Sequence, residues 1–479
     1  MLSYRLILGL VLLFSITELW AARDRPNIVL IMTDNHGAWT LGCYGNRDIR
    51  TPNIDRLAAE GTLFEEAYSS NPVCSPTRAT WLTGLMPSQH GVHCFLRAGE
   101  WQMPPSEKSM LEELKSLPEV LKGEGYRCGL VGKWHLGKSL HPQEGLLDYW
   151  VTKPHGGSST FYGAEVIEDG KVRKEPGYTT DFWTDHALKF LDQYHKEPFF
   201  LFLSYNGPYA LSKLLLRDGK NRHASYYADK ELPSFPREPM HPWQYHNKDY
   251  LNNPTSIRRV ATEVSGVDDG VGRVMEHLTN LGLVENTLVI FTADQGWQAG
   301  QQGIWGMGDH TKPVHAYDGT MHIPLIFWRP GNVPPGVRRK EMVSNYDFFP
   351  TMLGYLGLER RGWGVNTPGH DFSPILKGRP VKWENKVYYE FESVRAVRTR
   401  DWKFIDRYGK GPDELYNLRR DPQERTNVVD DAFTVITREK LREDLADFFR
   451  TYSEKEYNLW QGGGSKVKLY TPEDFGREP

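Results

Sequence analysis

The chain has 479 residues, a formal net charge of −3, 25% charged residues and 39% hydrophobic residues, values that build a large core and exclude the disordered and fibrous classes. So small a charge gives no electrostatic footprint for nucleic acid as the main partner. Gly 45 and Pro 31 exceed the average share and predict many ordered turns and long loops on a scaffold.

From the amino terminus, Met1 to Arg5 precedes an apolar run from Leu6 to Ile16 and a small-residue stretch ending Trp20-Ala21-Ala22, before Arg23. That order of charge, short apolar run and small residues predicts a signal peptide over 1–22. The run is too short to span a bilayer comfortably and no second one of membrane length follows. The mature protein is therefore expected to be exported, secreted or periplasmic, and not membrane-spanning. Cys43, Cys74, Cys94 and Cys128 are too few for a disulfide-built scaffold but leave a disulfide possible in an oxidising compartment.

Short apolar runs predict buried strands at Asn27–Met32, Cys128–Val131, Phe199–Leu203, Leu288–Thr292 and Pro324–Trp328. Polar residues gather at their carboxyl ends: Asp34-Asn35-His36, Lys133-Trp134-His135, Asn206-Gly-Pro-Tyr209 and Asp294-Gln295-Gly296. Between them, Ser256–Leu281 carries Val260, Val264, Val267, Val271, Val274, Leu278 and Leu281 at alternating spacings of four and three, the pattern of a core-facing helix. Helices between apolar strands predict a large α/β fold, a mostly parallel sheet covered on both faces, in which ligands bind beyond the carboxyl edges of the strands. One site is expected to collect all four clusters.

Pro208–Tyr250, rich in charged and aromatic residues, is expected to form a long substrate-facing loop. From about Val381 the texture changes to short alternating pieces, Val387–Phe391, Arg395–Arg398, Trp402–Ile405 and Glu414–Leu418, followed by a helical pattern near Phe433–Tyr452. These predict a main domain over 23–380 and a subdomain over 381–479, a small antiparallel sheet with a packing helix. The tail from Gln461 onward, opening Gln461-Gly-Gly-Gly-Ser465, reads as loose.

Pro76 suits the first turn of a helix, which puts Cys74 at or near the N-cap, where unpaired N–H groups favour anions. Arg78 adds positive charge one turn on. Alone, these residues read as a small buried cysteine and a surface arginine. In context, Cys74-Ser-Pro-Thr-Arg78, followed by Leu82-Thr-Gly84, resembles the Cys-x-Pro-x-Arg signature of the formylglycine-dependent, type I sulfatases of the alkaline-phosphatase-like superfamily. Further segments fall in that family's order: Asn27 to Asp34, Thr51 to Gly61, Gly125 to His135, Asp294-Gln-Gly296, Tyr317 to Pro324 and Glu414 to Pro422.

The resemblance implies that a formylglycine-generating enzyme oxidises Cys74 to an aldehyde whose hydrate carries two hydroxyls. One attacks sulfur and expels the alcohol; the other drives sulfate out as the aldehyde reforms. It further implies a calcium ion at Asp34, Asn35, Asp294 and Gln295 with the modified Cys74, in keeping with the preference of hard cations for oxygen. Arg78, Lys133 and His135 are carried over as catalytic residues, Lys133 touching the diol and sulfate and His135 assisting proton movement.

Several positions depart from the family. Asn35 stands where a second Asp is usual, Gln295 where Asn or His is common, and Cys128 where Ser or Thr is usual. Tyr209 replaces the His that protonates the leaving oxygen, a weaker acid with a reference pKa near 10. Gln301-Gln302-Gly303 replaces Gly-x-His-Gly, and both Met307 and Lys312 fall near the place of the sulfate-binding lysine, for which Lys312 is taken. His310, His315 and His322 lie nearby as candidate acids, with Tyr209, Lys312, His310 and Gln302 forming the expected substrate-binding group. The expected activity is hydrolysis of sulfate esters of a sulfated carbohydrate. Alternatives are a phosphate or phosphonate ester hydrolase of the same superfamily, or an impaired protein that only binds sulfated glycans.

Overall fold

Runs of apolar residues without polar alternation need cover on both faces, and they find it in the middle of a wide sheet. A computed structural model describes residues 25–141, 145–217, 219–358 and 364–470; the predicted signal peptide lies outside the described residues. The ten strands of the main sheet are β1 (Asn27–Asp34), β2 (Thr62–Phe64), β3 (Arg127–Gly132), β4 (Tyr149–Thr152), β5 (Tyr162–Glu168), β6 (Lys171–Tyr178), β7 (Phe199–Pro208), β8 (Thr287–Ala293), β9 (Leu325–Trp328) and β10 (Val337–Arg339). Their spatial order is β10-β2-β9-β8-β1-β7-β3-β4-β5-β6. The block β8-β1-β7-β3-β4 is parallel. β9 pairs antiparallel with β8, and β5 with β4, so the sheet is mixed towards both edges.

Alternation along β1 divides the core between two layers. Ile28, Leu30 and Met32 face one cluster with Trp81, Phe348 and Met352. Val29 and Ile31 face another with Phe190, Val260, Val264 and Val271. The first layer holds α1 (Cys74–Thr83) and, in contact with it through Trp81 and Phe348, α4 (Phe348–Tyr355). The second holds α2 (Thr179–Tyr194) and α3 (Pro254–Asn280). The predicted helix is α3, begun by Pro254 behind Asn253, whose side chain accepts from Thr255 N and Ser256 N.

The carboxyl-terminal sheet is an antiparallel meander of β11 (Lys386–Phe391), β12 (Val394–Thr399), β13 (Trp402–Asp406) and β14 (Glu414–Asn417). Helix α5 (Val435–Thr451) covers one face with Leu441, Leu445 and Phe448 against Val397, Phe404 and Leu415. The other face sends Val387, Tyr389 and Ile405 into the main core. A buried ionic joint adds to this contact: Lys403 Nζ lies 2.9 Å from Asp318 Oδ1 and 2.7 Å from Glu424 Oε1, with Lys403 fully enclosed.

Two expectations are corrected. The glycine-rich tail is not loose up to Tyr470: Lys466 N donates to Gly91 O (2.8 Å), Val467 is buried, and Tyr470 N donates to Glu392 Oε1 (2.7 Å). Its partners lie far back in the sequence, so composition alone does not reveal them. The cysteines form no disulfide; Cys43, Cys74, Cys94 and Cys128 are all free thiols.

Candidate active site

Strand register composes the site. At the carboxyl end of β1, Asp294 N donates to Thr33 O (3.0 Å) and Tyr209 N to Asp34 O (3.2 Å), while Lys133 N donates to Ser204 O (2.7 Å). Four parallel strands thus deliver Asp34, Asp294, Lys133 and Tyr209 to one edge. The crowding needs glycine at 132, where φ is 107° and a Cβ would stand 1.9 Å from Ser204 O. Asn35 (φ 56°) and His135 (φ 61°) hold left-handed backbone conformations beside it, strain of the kind that clusters at functional sites.

Helix α1 runs into this edge with every residue buried and Cys74 as its first helical residue after Val73. Arg78, one turn on, is fully enclosed. It donates through Nε and Nη2 to Asp294 Oδ2 (3.1 and 2.8 Å) and through Nη1 to Lys133 O (2.8 Å) and Ser204 Oγ (2.6 Å). Lys133 Nζ lies 2.6 Å from Asp34 Oδ2, both without solvent exposure. Two cations therefore hold two carboxylates in a dry edge, where electrostatic interactions are strong and unpaired charge is expensive.

Ligand atoms of Asp34, Cys74 and Asp294 all lie within 4.8 Å of one another. Cys74 Sγ is 3.5 Å from Asp34 Oδ1, and Gln295 Nε2 is 3.3 Å from Cys74 Sγ and contacts Asn35 Oδ1. Asp294 Oδ1 accepts from Asn35 N (3.0 Å) and Gln295 N (2.9 Å), which fixes the carboxylate. Burial pushes the Cys74 thiol up to about 12, so it stays protonated. Burial also pushes the Asp34 carboxyl up to about 6 against the pull of Lys133, with Asp294 adding to the rise.

A divalent cation with oxygen preference fits this donor set. Gln295 turns its Nε2 towards Cys74 and Asn35 while its Oε1 is buried with no hydrogen-bond partner among the described residues; with the amide turned over, that oxygen would face the cluster as a ligand for such an ion. A further positive charge beside Asp34 would also relieve the repulsion between the two carboxylates.

His135 is neutral, since burial and then Lys133 hold its imidazole well below the usual value. Nε2 lies 2.7 Å from Leu96 O, so the proton belongs on Nε2. Nδ1, buried without a hydrogen-bond partner among the described residues, is left as an acceptor. Gly156 presses on the ring from behind; a Cβ there would lie 2.0 Å from His135 Cε1.

The Sulfatase family model matches residues 26–358, and one described as N-sulphoglucosamine sulphohydrolase, C-terminal, matches residues 306–451. The chain belongs to the sulfatase family. Its members are sulfuric ester hydrolases. The chain is 27% identical to an N-acetylglucosamine-6-O-sulfatase of Bacteroides thetaiotaomicron, over 91% of this chain and 89% of that one. It is 32% identical to an N-acetylgalactosamine-6-sulfatase of Rattus norvegicus, over 80% and 71% respectively. The fold is shared with a structure solved in complex with its substrate D-glucosamine-2-N,6-O-disulfate, at a TM-score of 0.73 and 22% identity, over 91% of this chain and all of that one.

In this sulfatase several expected residues lie elsewhere. Lys312 sets its ammonium 4.0 Å from the centre of the Tyr245 ring and its N–H on Trp243 O, whereas Met307 reaches the site, its Sδ 3.3 Å from Gln295 Nε2. Gln302 turns away: its Nε2 donates to Gln423 O (2.8 Å) and Glu424 O (3.2 Å), joining the carboxyl-terminal segment. His310 accepts from Met307 N at Nδ1 (3.0 Å) and meets the His246 ring edge-on. His315 is buried and stacked on Tyr317; His322 lies 2.8 Å from Glu65 O. The three histidines therefore point to three different surroundings rather than to one acid position. Within Pro208–Tyr250, Leu215, Tyr227, Leu232 and Phe235 are buried in the layer of α3, so the first half of that segment is packing and the part around Trp243–His246 is what borders Met307–Lys312.

Tyr209 is half-buried with Lys133 Nζ 5.5 Å from its ring centre. Burial and then Asp34 hold its phenol well above the usual range, so it stays protonated and donates hydrogen bonds without giving up the proton readily. Beside it stands a residue that sequence reading missed. Lys153, buried, donates to Gly157 O (2.6 Å) and Ser158 Oγ (2.9 Å), and Asn206 Nδ2 also donates to Ser158 Oγ (3.0 Å). Burial and then the Lys133 charge lower the Lys153 ammonium to about 7. It directly follows β4, a strand of only four residues; recognising Tyr149–Thr152 as one more parallel strand is the signal that finds it.

Proposed function

We propose that this sulfatase removes sulfate from a sulfated carbohydrate, through a formylglycine made from Cys74 by a formylglycine-generating enzyme. We propose further that Asp34, Asn35, Asp294 and Gln295 hold a calcium ion beside it. The observation that carries this reading is the closed cluster of Asp34, Cys74 and Asp294, within 4.8 Å, flanked by the enclosed Lys133 and Arg78. A nucleophile position flanked by two cations suits an attack on the sulfuryl group of a sulfate ester, a monoanion in which negative charge grows on the leaving oxygen as the S–O bond breaks. The relatives named for 6-O-sulfated amino sugars direct the substrate towards glycosaminoglycan-type sugars.

In this reading the calcium supplies a Lewis acid for sulfate oxygen and the aldehyde hydrate supplies the nucleophile. The chain's own groups do the rest. Arg78 and Lys133 orient the carboxylates and balance anionic charge. His135 Nδ1 takes up a proton at the hydrate. Tyr209 and Lys153 line the leaving-group side, where Lys153, poised to give a proton near neutrality, stands in for the family's histidine. Lys153→Met is expected to lower kcat/KM for sulfate esters roughly 10²-fold, the scale of losing one preorganised charge-stabilising donor, with little change in thermal midpoint. An unchanged rate would remove Lys153 from the reaction.

Calcium removal tests the metal. Chelator-treated protein should lose sulfate release and regain it with calcium, and calcium at about 100 times its Kd should stabilise the fold by about 2.7 kcal/mol. The thermal shift should vanish in Asp294→Asn. A shift of equal size in that variant would contradict the assigned ligands.

A further inference from the structure

A carboxylate taken out of water needs proton donors around it. Asp309 is 2% exposed, yet its Oδ1 is buried with no hydrogen-bond donor among the described residues. The His310 ring stands beside it, with Nδ1 3.1 Å from that oxygen, but Nδ1 already accepts from Met307 N (3.0 Å). The ring's proton therefore belongs on Nε2, and Nδ1 turns a lone pair towards the carboxylate instead of a donor. Asp309 is a built acceptor whose donor the chain does not supply.

It lies where that donor would arrive with the substrate. Met307, two residues before, brings its Sδ to 3.3 Å from Gln295 Nε2, which is itself 3.3 Å from Cys74 Sγ. Gly308 rests on Pro72, two residues before Cys74, so closely that a Cβ would stand 2.9 Å from Pro72 Cβ. The backbone is held there, because Gly308 O accepts from His315 N (3.0 Å) and His315 O accepts from the Tyr389 hydroxyl (3.2 Å). The Asp309 charge reaches the leaving-group side, where burial, then Asp34, Cys74 and Asp309, push the Tyr209 phenol up. On the other flank is a second acid: burial pushes the Glu392 carboxyl up to about 7, and Asp309 adds to the rise. Asn35 Nδ2, His135 Nδ1 and Gln295 Oε1, all at the reaction edge, are likewise buried without hydrogen-bond partners among the described residues.

We infer that Asp309 determines substrate specificity, its carboxylate accepting a hydrogen bond from a ring hydroxyl of the sugar that carries the sulfate ester. The carboxylate stands outside the Lys133–Asp34 and Arg78–Asp294 pairs and repels the sulfate end, so it reads the neutral part of the substrate. A hydroxyl bound to a charged acceptor forms one of the stronger hydrogen bonds, and a sugar without that hydroxyl leaves the acid stranded. Discrimination then comes from the penalty as much as from the bond. The inference rests on the proposed function for the class of substrate, but the unpaired state of Asp309 does not.

Asp309→Asn tests it, since the amide keeps the shape and removes the charge. The variant should raise the thermal midpoint of the substrate-free protein, because it relieves an uncompensated buried acid. In protein converted at Cys74, kcat/KM for N-acetylglucosamine 6-sulfate or N-acetylgalactosamine 6-sulfate, whichever the parent favours, should fall about 30-fold. The loss on 4-nitrophenyl sulfate, which has no hydroxyl, should stay below about threefold. Of the 3-deoxy and 4-deoxy forms of the favoured sugar, one should be a poor substrate for the parent and respond little to Asp309→Asn. Calorimetric binding of the same sugars to the Cys74→Ala protein, with and without Asp309→Asn, should show the same pattern. An unchanged or lower midpoint, equal losses on the sugar and the aryl ester, or sugar affinity independent of Asp309 would overturn the assignment. If the converted parent releases no sulfate from either sugar, the proposed reaction fails and the binding arm decides Asp309; no binding of either sugar to the Cys74→Ala protein would overturn it too.

Discussion

Cys74→Ala is expected to abolish sulfate release, with kcat falling by roughly 10⁴-fold or more, the scale on which loss of a nucleophile is felt. The position leaves no substitute. Cys74 is enclosed at the start of α1, and its sulfur contacts the polar side chains of Asp34 and Gln295, neither of which can replace an attacking hydroxyl. Burial keeps the unmodified thiol protonated, so a chain left unconverted should be nearly as inactive as the variant. The substitution removes one small buried group next to a charge cluster that retains both ion pairs, so the fold should survive. Steady-state sulfate release and the calcium-dependent thermal shift, measured on the same preparation, check this. Lost turnover with a retained shift is the expected pair; retained turnover would assign the nucleophile elsewhere.

Lys403→Met should have the largest effect on stability, about 3–5 kcal/mol, the cost of leaving a buried charge without its partner. Lys403 neutralises Asp318 and Glu424 together where the carboxyl-terminal sheet meets the main core, and among the described residues Arg398 is the cation left to Asp318 once the lysine is gone. Glu424 already has its carboxyl pushed up to about 7 by burial, against the pull of Lys403. A folded pKa above the unfolded value means that the folded state binds the proton more readily, so this group's contribution falls as pH rises from about 4.5 to 7. Without the lysine the folded pKa rises further, and the loss of stability extends above neutrality. The variant should therefore be least damaged near pH 5 and most damaged near pH 8. Adding Glu424→Gln should recover part of the loss by removing the stranded charge. Thermal midpoints of the single and double variants at both pH values test this; a single variant equally damaged at pH 5 and pH 8 would mean that Glu424 is not the stranded group.

Much of the architecture was legible because burial imposes simple patterns. Asn27–Asp34 is apolar almost throughout since both its faces are covered, and α3 shows its inner face in valines three and four apart. Parallel pairing then forces Asp34, Lys133, Tyr209 and Asp294 to one edge, which is why clusters far apart in sequence could be read as one site. What stayed hidden depends on contacts that local pattern does not encode. Lys153 follows a strand too short to stand out. Met307 and Lys312 sit close together in a loop, and only its folded path shows that Met307 turns towards Gln295 while Lys312 turns to Tyr245. The glycines of the tail suggest freedom, yet Val467 and Tyr470 dock onto segments near Gly91 and Glu392.

Whether this edge is built for sulfate esters and needs a converted Cys74 is decided by one paired measurement. Mass analysis of the peptide containing residue 74 is set beside the anion released from matched sulfate and phosphate esters and from a panel of sulfated glycosaminoglycan oligosaccharides, using protein co-expressed with a formylglycine-generating enzyme. The expected result is inorganic sulfate from at least one oligosaccharide, in proportion to the converted fraction, and a kcat/KM for sulfate esters above that for their phosphate counterparts. Phosphate release exceeding sulfate release, or no sulfate from fully converted protein, would contradict it.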